Sequence, residues 1–131
     1  MLANARISAV VPVTNLDRAR DFYEGLLGLD VLSEDLDQGA VTYESGGTYL
    51  LIYQRATPSS GDHTIAGFDV GDDFDDVVDQ LMANNVTFDT FDVPGMDLPW
   101  DERGVLWDGT RASAWFKDPD GNVLVISKGM V

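Results

Sequence analysis

One order of patterns occurs twice in this chain, and that duplication limits its fold more than any other feature. In the first half, "RISAVVPV" is a short apolar run suited to a buried strand. "TNLDRARDFYEGLLGLD" follows, with Leu16, Ala19, Phe22, Tyr23, Leu26 and Leu27 at helical spacing. Asn15 suits the N-cap, Asp17 the first turn, and Gly28 a left-handed helix exit. Three strands are then expected: one around residues 29–36, "AVTYE", and "TYLLIYQ", the last two joined by a Ser-Gly-Gly turn. The second half repeats the plan. "TIAGFDV" reads as a strand, and "DDFDDVVDQLMANN" as a helix with Phe74, Val77, Val78, Leu81 and Met82 on its apolar side. "VTFDTFDV" reads as a strand, and "RASAWFK" with "NVLVIS" as a hairpin. Val13 and Val70, like Leu29 and Val86, lie 57 positions apart, whereas Gly47 and Gly121, like Ile52 and Ile126, lie 74 apart.

The chain is therefore expected to be α+β, two tandem βαβββ modules in one domain spanning 1–131. Module one covers about 5–54, residues 55–62 ("RATPSSGD") form the linker, and module two covers about 63–131. Residues 93–110 read as a long irregular loop, and loops of that size tend to be functional lids or disordered. Trp100 and Trp107 favour a lid that packs on something.

Composition narrows the partners. Eight basic against 23 acidic side chains leave a formal charge of −15 on 131 residues, and 44% of the chain is hydrophobic, enough for a real core. Nucleic acid and anionic membrane are excluded as partners, because phosphate binding needs clustered cations. The acids suit either a cleft that attracts a cationic ligand or a solvated surface in a salty medium. Their spread along the chain favours the second. Cysteine is absent, which removes disulfides, thiolate metal sites and cysteine nucleophiles. The apolar runs fall short of a membrane span, and "MLANARISAVVPV" lacks the layout of a signal peptide, so a cytoplasmic location is expected.

The closing hairpin carries the most geometry. In "DPDG", Pro119 suits the second position of a type I turn and Gly121 the left-handed residue after it. That connection pairs Asp118 with Asn122, which sets Trp115 opposite Val125 and Ser113 opposite Ser127 on one face. In the first module Tyr49, Leu51 and Tyr53 share a face, leaving Leu50 and Ile52 for the helix. These aromatic faces either line a ligand pocket or fill the space between modules.

"PVTNLDRARDFYEGLLGL", "AGFDVGDDFDDVVDQLMANNVTF" and "AWFKDPDGNVLVIS", in this order, resemble the vicinal oxygen chelate superfamily of glyoxalases, bleomycin-resistance proteins and extradiol dioxygenases. The resemblance implies curved mixed sheets that enclose a cleft, with the helices packed outside, and a homodimer. It also implies a divalent metal held by His, Gln or Glu on the first and last strands of the modules. The corresponding positions here are Ser8, Leu51, Ile65 and Val125. One hydroxyl and three aliphatic chains are not a divalent-ion donor set, so no metal and no cofactor are expected.

His63, the only histidine, lies two residues before Ile65 and becomes a metal ligand only if the register is off by two. "DVGDDFDDVVD" lacks the Gly and Glu positions of a calcium loop; Asp72 and Asp73 instead suit a helix N-terminus. No nucleophile or phosphate-loop motif is present, and no catalytic residue is assigned. The expected ligand-binding set is Ser8, Tyr49, Leu51, Tyr53, Ile65, Ser113, Trp115, Val125 and Ser127. The reading is a small-molecule-binding protein that sequesters or senses a hydrophobic or aromatic ligand. Its rivals are a metal-dependent lyase, isomerase or dioxygenase with atypical ligands, and a metal-independent enzyme using Tyr49, Tyr53 or Asp69.

The charge makes a direct prediction. At −15 the compact state repels itself at low ionic strength, and 1 M salt screens over about 3 Å. Stability in denaturant or thermal melts should climb from tens of millimolar to molar sodium chloride. A flat response would remove this account of the acidic composition.

Overall fold

The structure is a computed structural model and describes residues 1–129; positions 130 and 131 of the expected domain lie outside the described residues. Two compact units are formed. One comprises Met1–Ile65 with Asp118–Asn122, and the other Ala66–Lys117 with the segment from Val123.

The first unit holds β1 (Ser8–Val13), α1 (Leu16–Arg20), β2 (Asp30–Asp35), β3 (Ala40–Ser45) and β4 (Thr48–Gln54). The sheet runs in the order β1-β4-β3-β2, with β1 parallel to β4 and the other pairs antiparallel. Strand alternation sends Val11, Val13, Val41, Tyr43, Leu50 and Ile52 into the core, where they are buried with Ala19, Phe22 and Tyr23. Asn15 caps α1 as its sequence position suggests, its Oδ1 accepting from Arg18 N at 3.0 Å. The single expected helix is in fact an α-turn followed by a π-turn over Asp21–Leu26, in which Leu27 N donates to Phe22 O. The wider turn lets two consecutive aromatics face the sheet. Phe22 and Tyr23 meet edge-to-face at 5.1 Å, and Tyr23 stacks on Tyr43 at 6.2 Å. At the sheet edge β2 is exposed along its whole length, and its pairing with β3 shifts between Val31 and Ser33.

The second unit's sheet has the order β5-β8-β7-β6, from β5 (Thr64–Asp69), β6 (Leu106–Asp108), β7 (Arg111–Lys117) and β8 (Val123–Lys128). Helix α2 (Phe74–Ala83), entered through a 3-10 turn at Gly71–Asp73, buries Phe74, Val78 and Leu81 and packs on β8. Val77 is only half-buried and Met82 is exposed, so the apolar stripe is narrower than its sequence suggests. The two helices leave in the same way: Gly28 has φ +72° and Asn85 has φ +67°, with Leu29 N donating to Tyr23 O and Val86 N to Leu81 O, both at 3.0 Å. The duplication is thus visible in the backbone up to Val86. Two open four-stranded sheets, each with its helix, make the α+β pair of βαβββ modules expected from the sequence.

Beyond Val86 the expectation fails in one element. Residues 86–93 form no strand; Asp89 alone bridges β7, its N donating to Trp115 O at 2.8 Å. The reason lies two residues on. Phe91 turns its ring onto Trp100 and Trp115, at 5.0 and 5.1 Å, and Val93–Met96 closes a turn that carries the chain off the β7 edge. β6, from within the expected loop, takes the vacated edge and pairs Leu106 with Ser113 and Trp107 with Ala112. The offset between modules therefore changes from 57 to 74 before this strand rather than after it.

The loop is held by its own polar centre. Asp101 accepts from Arg103 N (2.8 Å), Val105 N (3.0 Å), Trp107 Nε1 (3.1 Å) and the Arg103 guanidinium, which also pairs with Asp75 and Asp79 of α2. Partial burial pushes the Asp101 carboxyl up, but these donors outweigh it and hold its pKa below the ordinary carboxylate value. A depressed folded-state pKa contributes stability that is present above the unfolded value and lost as pH falls through the folded one. Asp101→Ala should cost about 1–3 kcal/mol at neutral pH. The gap from the parent, read by denaturant melts, should narrow as pH drops below about 4. A pH-independent gap would show that the charge of Asp101 is not what holds the loop.

Candidate functional site

The turn at Asp118–Asn122 sets which side chains share a face. Asp118 N donates to Asn122 O and Gly121 N to Asp118 O, both at 3.0 Å, with Gly121 at φ +83° where a Cβ would be strained. Asp118 is 5% exposed, and four donors satisfy its carboxylate. Oδ1 accepts from Asp120 N and Asn122 N at 2.9 Å; Oδ2 accepts from Tyr23 Oη and Asn122 Nδ2 at 2.8 Å. Asn122 Nδ2 also donates to Pro12 O at 2.8 Å. Burial, and then the Asp118 charge, push the Tyr23 phenol far up, so it remains a donor. Asp120 accepts from Thr14 N (3.1 Å), Thr14 Oγ1 and Arg18 Nη2 (3.0 Å). Held in this way, the hairpin pairs Trp115 with Val125 and Ser113 with Ser127.

On the second unit's sheet, Ser113, Trp115 and Val125 are half-buried, while Ser127 is 8% exposed and its carbonyl accepts from Val70 N at 2.9 Å. Trp115 stands in a ring cluster with Phe91 and Trp100, centroids 5.1 and 5.9 Å away and all edge-to-face. Val125 lies over Gly67, where an added Cβ would come within 2.9 Å of Val125 Cγ1, so the β5 glycine makes room for that side chain. Ile65 is half-buried on β5.

On the first unit's sheet, Ser8 is exposed and directly opposite Tyr49; Tyr49, Leu51 and Tyr53 are half-buried, opposite Ser8, Val10 and Pro12 of β1. The nine expected residues thus fall into groups by sheet: Ser8, Tyr49, Leu51 and Tyr53 on the strands of one, and Ile65, Ser113, Trp115, Val125 and Ser127 on the strands of the other. Sequence reasoning missed Phe91 and Gly67 beside the second group, and Val10 and Arg6 beside the first. Val10 was accessible from the parity of β1. Phe91 was not, because its place depends on the chain leaving β7. Arg6 Nη1 donates to the Tyr49 hydroxyl, and its guanidinium lies over the Tyr49 ring, 5.1 Å from the centroid.

Ser8, Leu51, Ile65 and Val125 offer one hydroxyl and three aliphatic chains, which do not fit a divalent ion. Among the described residues, no three His, Cys, Asp or Glu side chains gather into a group able to hold a metal. His63 is exposed ahead of β5, with Nδ1 3.1 Å from the Thr64 carbonyl oxygen. Asp69, a candidate for metal-free proton transfer, is exposed, and its Oδ1 accepts from Gly71 N at 3.1 Å at the entrance to α2. Tyr43 is raised by burial and by its bond to Glu24. Glu24 is held low by the hydrogen bond from Arg20, with the Tyr43 hydroxyl assisting, so this pair belongs to the packing of the π-turn.

The chain matches the Glyoxalase/Bleomycin resistance protein/Dioxygenase superfamily over residues 6–126. No curated protein matches it. Among solved structures it is similar to a glyoxalase/bleomycin resistance protein/dioxygenase from Alicyclobacillus acidocaldarius (TM-score 0.69, 19% identity, covering 98% of this chain and 93% of that one). It is similar to the genomically encoded fosfomycin resistance protein FosX of Listeria monocytogenes (TM-score 0.72, 13% identity, 98% and 95% covered). It is also similar to lactoylglutathione lyase from Agrobacterium tumefaciens (TM-score 0.64, 18% identity, 96% and 94% covered). At these identities the likeness is one of fold. With the family match running through both modules, the chain belongs to the glyoxalase/bleomycin resistance protein/dioxygenase superfamily, that of the vicinal oxygen chelate proteins.

Proposed function

We propose that this protein is a metal-free binder of a small hydrophobic or aromatic molecule, which it sequesters or senses. The observation that carries the reading is the donor chemistry at the four positions where the family resemblance puts metal ligands. Ser8, Leu51, Ile65 and Val125 supply no carboxylate, imidazole or amide oxygen. Half-buried aromatics stand instead on each sheet, Tyr49 and Tyr53 on the first and Trp115 on the second, and each sheet sets them beside hydroxyls, a composition suited to ligand contact. Ser113 and Ser127 add hydroxyls beside Trp115 and Val125. The proposed partner set is one small-molecule ligand and a second copy of the chain in a homodimer, working in the cytoplasm. No helix among the described residues is long and apolar enough to cross a membrane.

A metal-dependent lyase, isomerase or dioxygenase is the competing reading, favoured by likeness to a lactoylglutathione lyase. Metal binding to the folded state separates the two. Nickel, zinc, iron(II) and manganese are each expected to leave the melting temperature unchanged, and the purified protein should carry no stoichiometric divalent ion. One equivalent of metal that disappears on His63→Ala would overturn the proposal. In a tryptophan-fluorescence screen of hydrophobic and cationic aromatic compounds, a ligand found should bind Trp115→Ala more weakly. The loss should reach about 0.5–1.5 kcal/mol beyond the lost apolar area, while Trp115→Phe keeps much of the affinity. Unchanged affinity in Trp115→Ala would remove that ring from the site.

A further inference from the structure

With acids outnumbering cations almost three to one, six of the eight Lys and Arg side chains have found a carboxylate. Arg18 pairs with Asp120, Arg20 with Glu24 and Glu34, Arg103 with Asp75, Asp79 and Asp101, and Arg111 with Asp108. Lys117 and Lys128 reach Asp89 and Asp72. Among the described residues, Arg6 and Arg55 are the Arg and Lys side chains with no carboxylate oxygen within 4.0 Å. Arg55 is turned to the Thr57 hydroxyl at 3.2 Å, beyond the end of β4. Arg6 is placed differently: its guanidinium lies over the Tyr49 ring and donates one N–H to the phenol. Glu44 stands across from Tyr49 on β3, yet it forms no ion pair with Arg6.

We propose that Arg6, with the Ser8 and Tyr49 hydroxyls, is an oxyanion-recognising end of the ligand face, and that the ligand is an aromatic or hydrophobic acid. The proposal rests on the ligand-binding reading above and names its substrate class. A guanidinium has five N–H donors in a planar fork, and the phenol uses one of them, so a two-point bond to a carboxylate is open to Arg6. The Tyr49 ring and hydroxyl together hold the guanidinium on this strand, which lowers the cost of ordering it. Ser8, exposed and directly opposite Tyr49, adds a neutral donor. From this polar end an apolar strip continues along the same face. Val10 is 51% exposed and opposite Leu51, and Pro12 is opposite Tyr53. From Ser8 to Pro12 the face spans four residue steps, about 13 Å, enough for an anionic group joined to a fused two-ring body.

The experiment uses three probes with one ring system, 2-naphthoate, 2-naphthamide and 2-naphthylmethylammonium, titrated calorimetrically into the full chain at low salt. The overall charge of −15 by itself ranks the cation first and the anion last. Recognition by Arg6 reverses that order. Naphthoate should bind about tenfold or more tighter than naphthamide, as a charge-assisted pair is stronger than a neutral one. Arg6→Gln should abolish the difference by weakening naphthoate far more than naphthamide, and Arg55→Gln should preserve it. Arg6 is exposed, so its replacement does not threaten the fold. An ammonium probe that binds tightest, or a naphthoate preference that survives Arg6→Gln, overturns the assignment of Arg6 while leaving the apolar ligand face intact if Tyr53→Ala still weakens naphthamide. Absence of binding by all three probes overturns the assignment and the ligand face together.

Discussion

A single buried carboxylate governs which side chains share a face of the second sheet. Asp118 is almost out of water, a costly place for a charge, and it is tolerated because four donors converge on its two oxygens. Two of them are backbone N–H groups of its own turn, so satisfying the charge and closing the turn are one event. The turn then fixes the β7–β8 pairing, and strand parity does the rest. Slipping the register by one residue would send Trp115 and Val125 into the helix side and bring Phe116 and Leu124 out. No buried side-chain nitrogen or oxygen among the described residues lacks a partner, consistent with a polar network that is complete and not merely tolerated.

The two modules share a plan but dress their sheets unlike one another. In the first, the exposed face is made from the strands themselves, with Arg6 and Ser8 at one end and Val10, Leu51 and Tyr53 beyond. In the second, residues inserted after Val86 supply much of the aromatic surface. Phe91 and Trp100, on either side of the Val93–Met96 turn, come together on Trp115. The insertion also donates β6, so the same segment completes the sheet and furnishes its ring cluster. Asp101 lets it do both, because the donors that hold it come from within the loop and from Arg103, which is anchored in turn on α2.

What was legible in the sequence was whatever local chemistry decides. The Asn15 cap, the left-handed exit at Gly28 and the Pro119–Gly121 turn each depend on a few neighbouring residues, and the hairpin register followed from the last of these. The segment 86–93 misled because Val86, Thr87, Phe88 and Asp89 alternate apolar and polar as a strand should, while the competing contact was between Phe91 and two tryptophans, nine and 24 residues on. β6 was hidden because three residues of strand leave too short a periodic signal. The π-turn was invisible for a related reason: the spacing of Phe22 and Tyr23 fits a helical face well enough, and only their joint burial shows that the turn must widen. Arg6 drew no notice because an exposed arginine near a terminus is ordinary. Its interest arises from the pairing of nearly all the others.

The exposed β2 edge has a consequence for solubility. Its outer row of N–H and C=O groups is a template on which a second copy could add a strand, and Val31, Leu32 and Leu36 are exposed along or beside it. Two devices oppose this. Asp30, Glu34 and Asp35 would confront the same carboxylates of an identical strand, and the irregular step between Val31 and Ser33 spoils the straight ladder that an incoming chain would need. The devices differ in their response to the medium. Concentrated salt shortens the reach of the carboxylates and removes most of the first guard, whereas the bulge is indifferent to ionic strength. In brine, freedom from aggregation along this edge depends on backbone geometry.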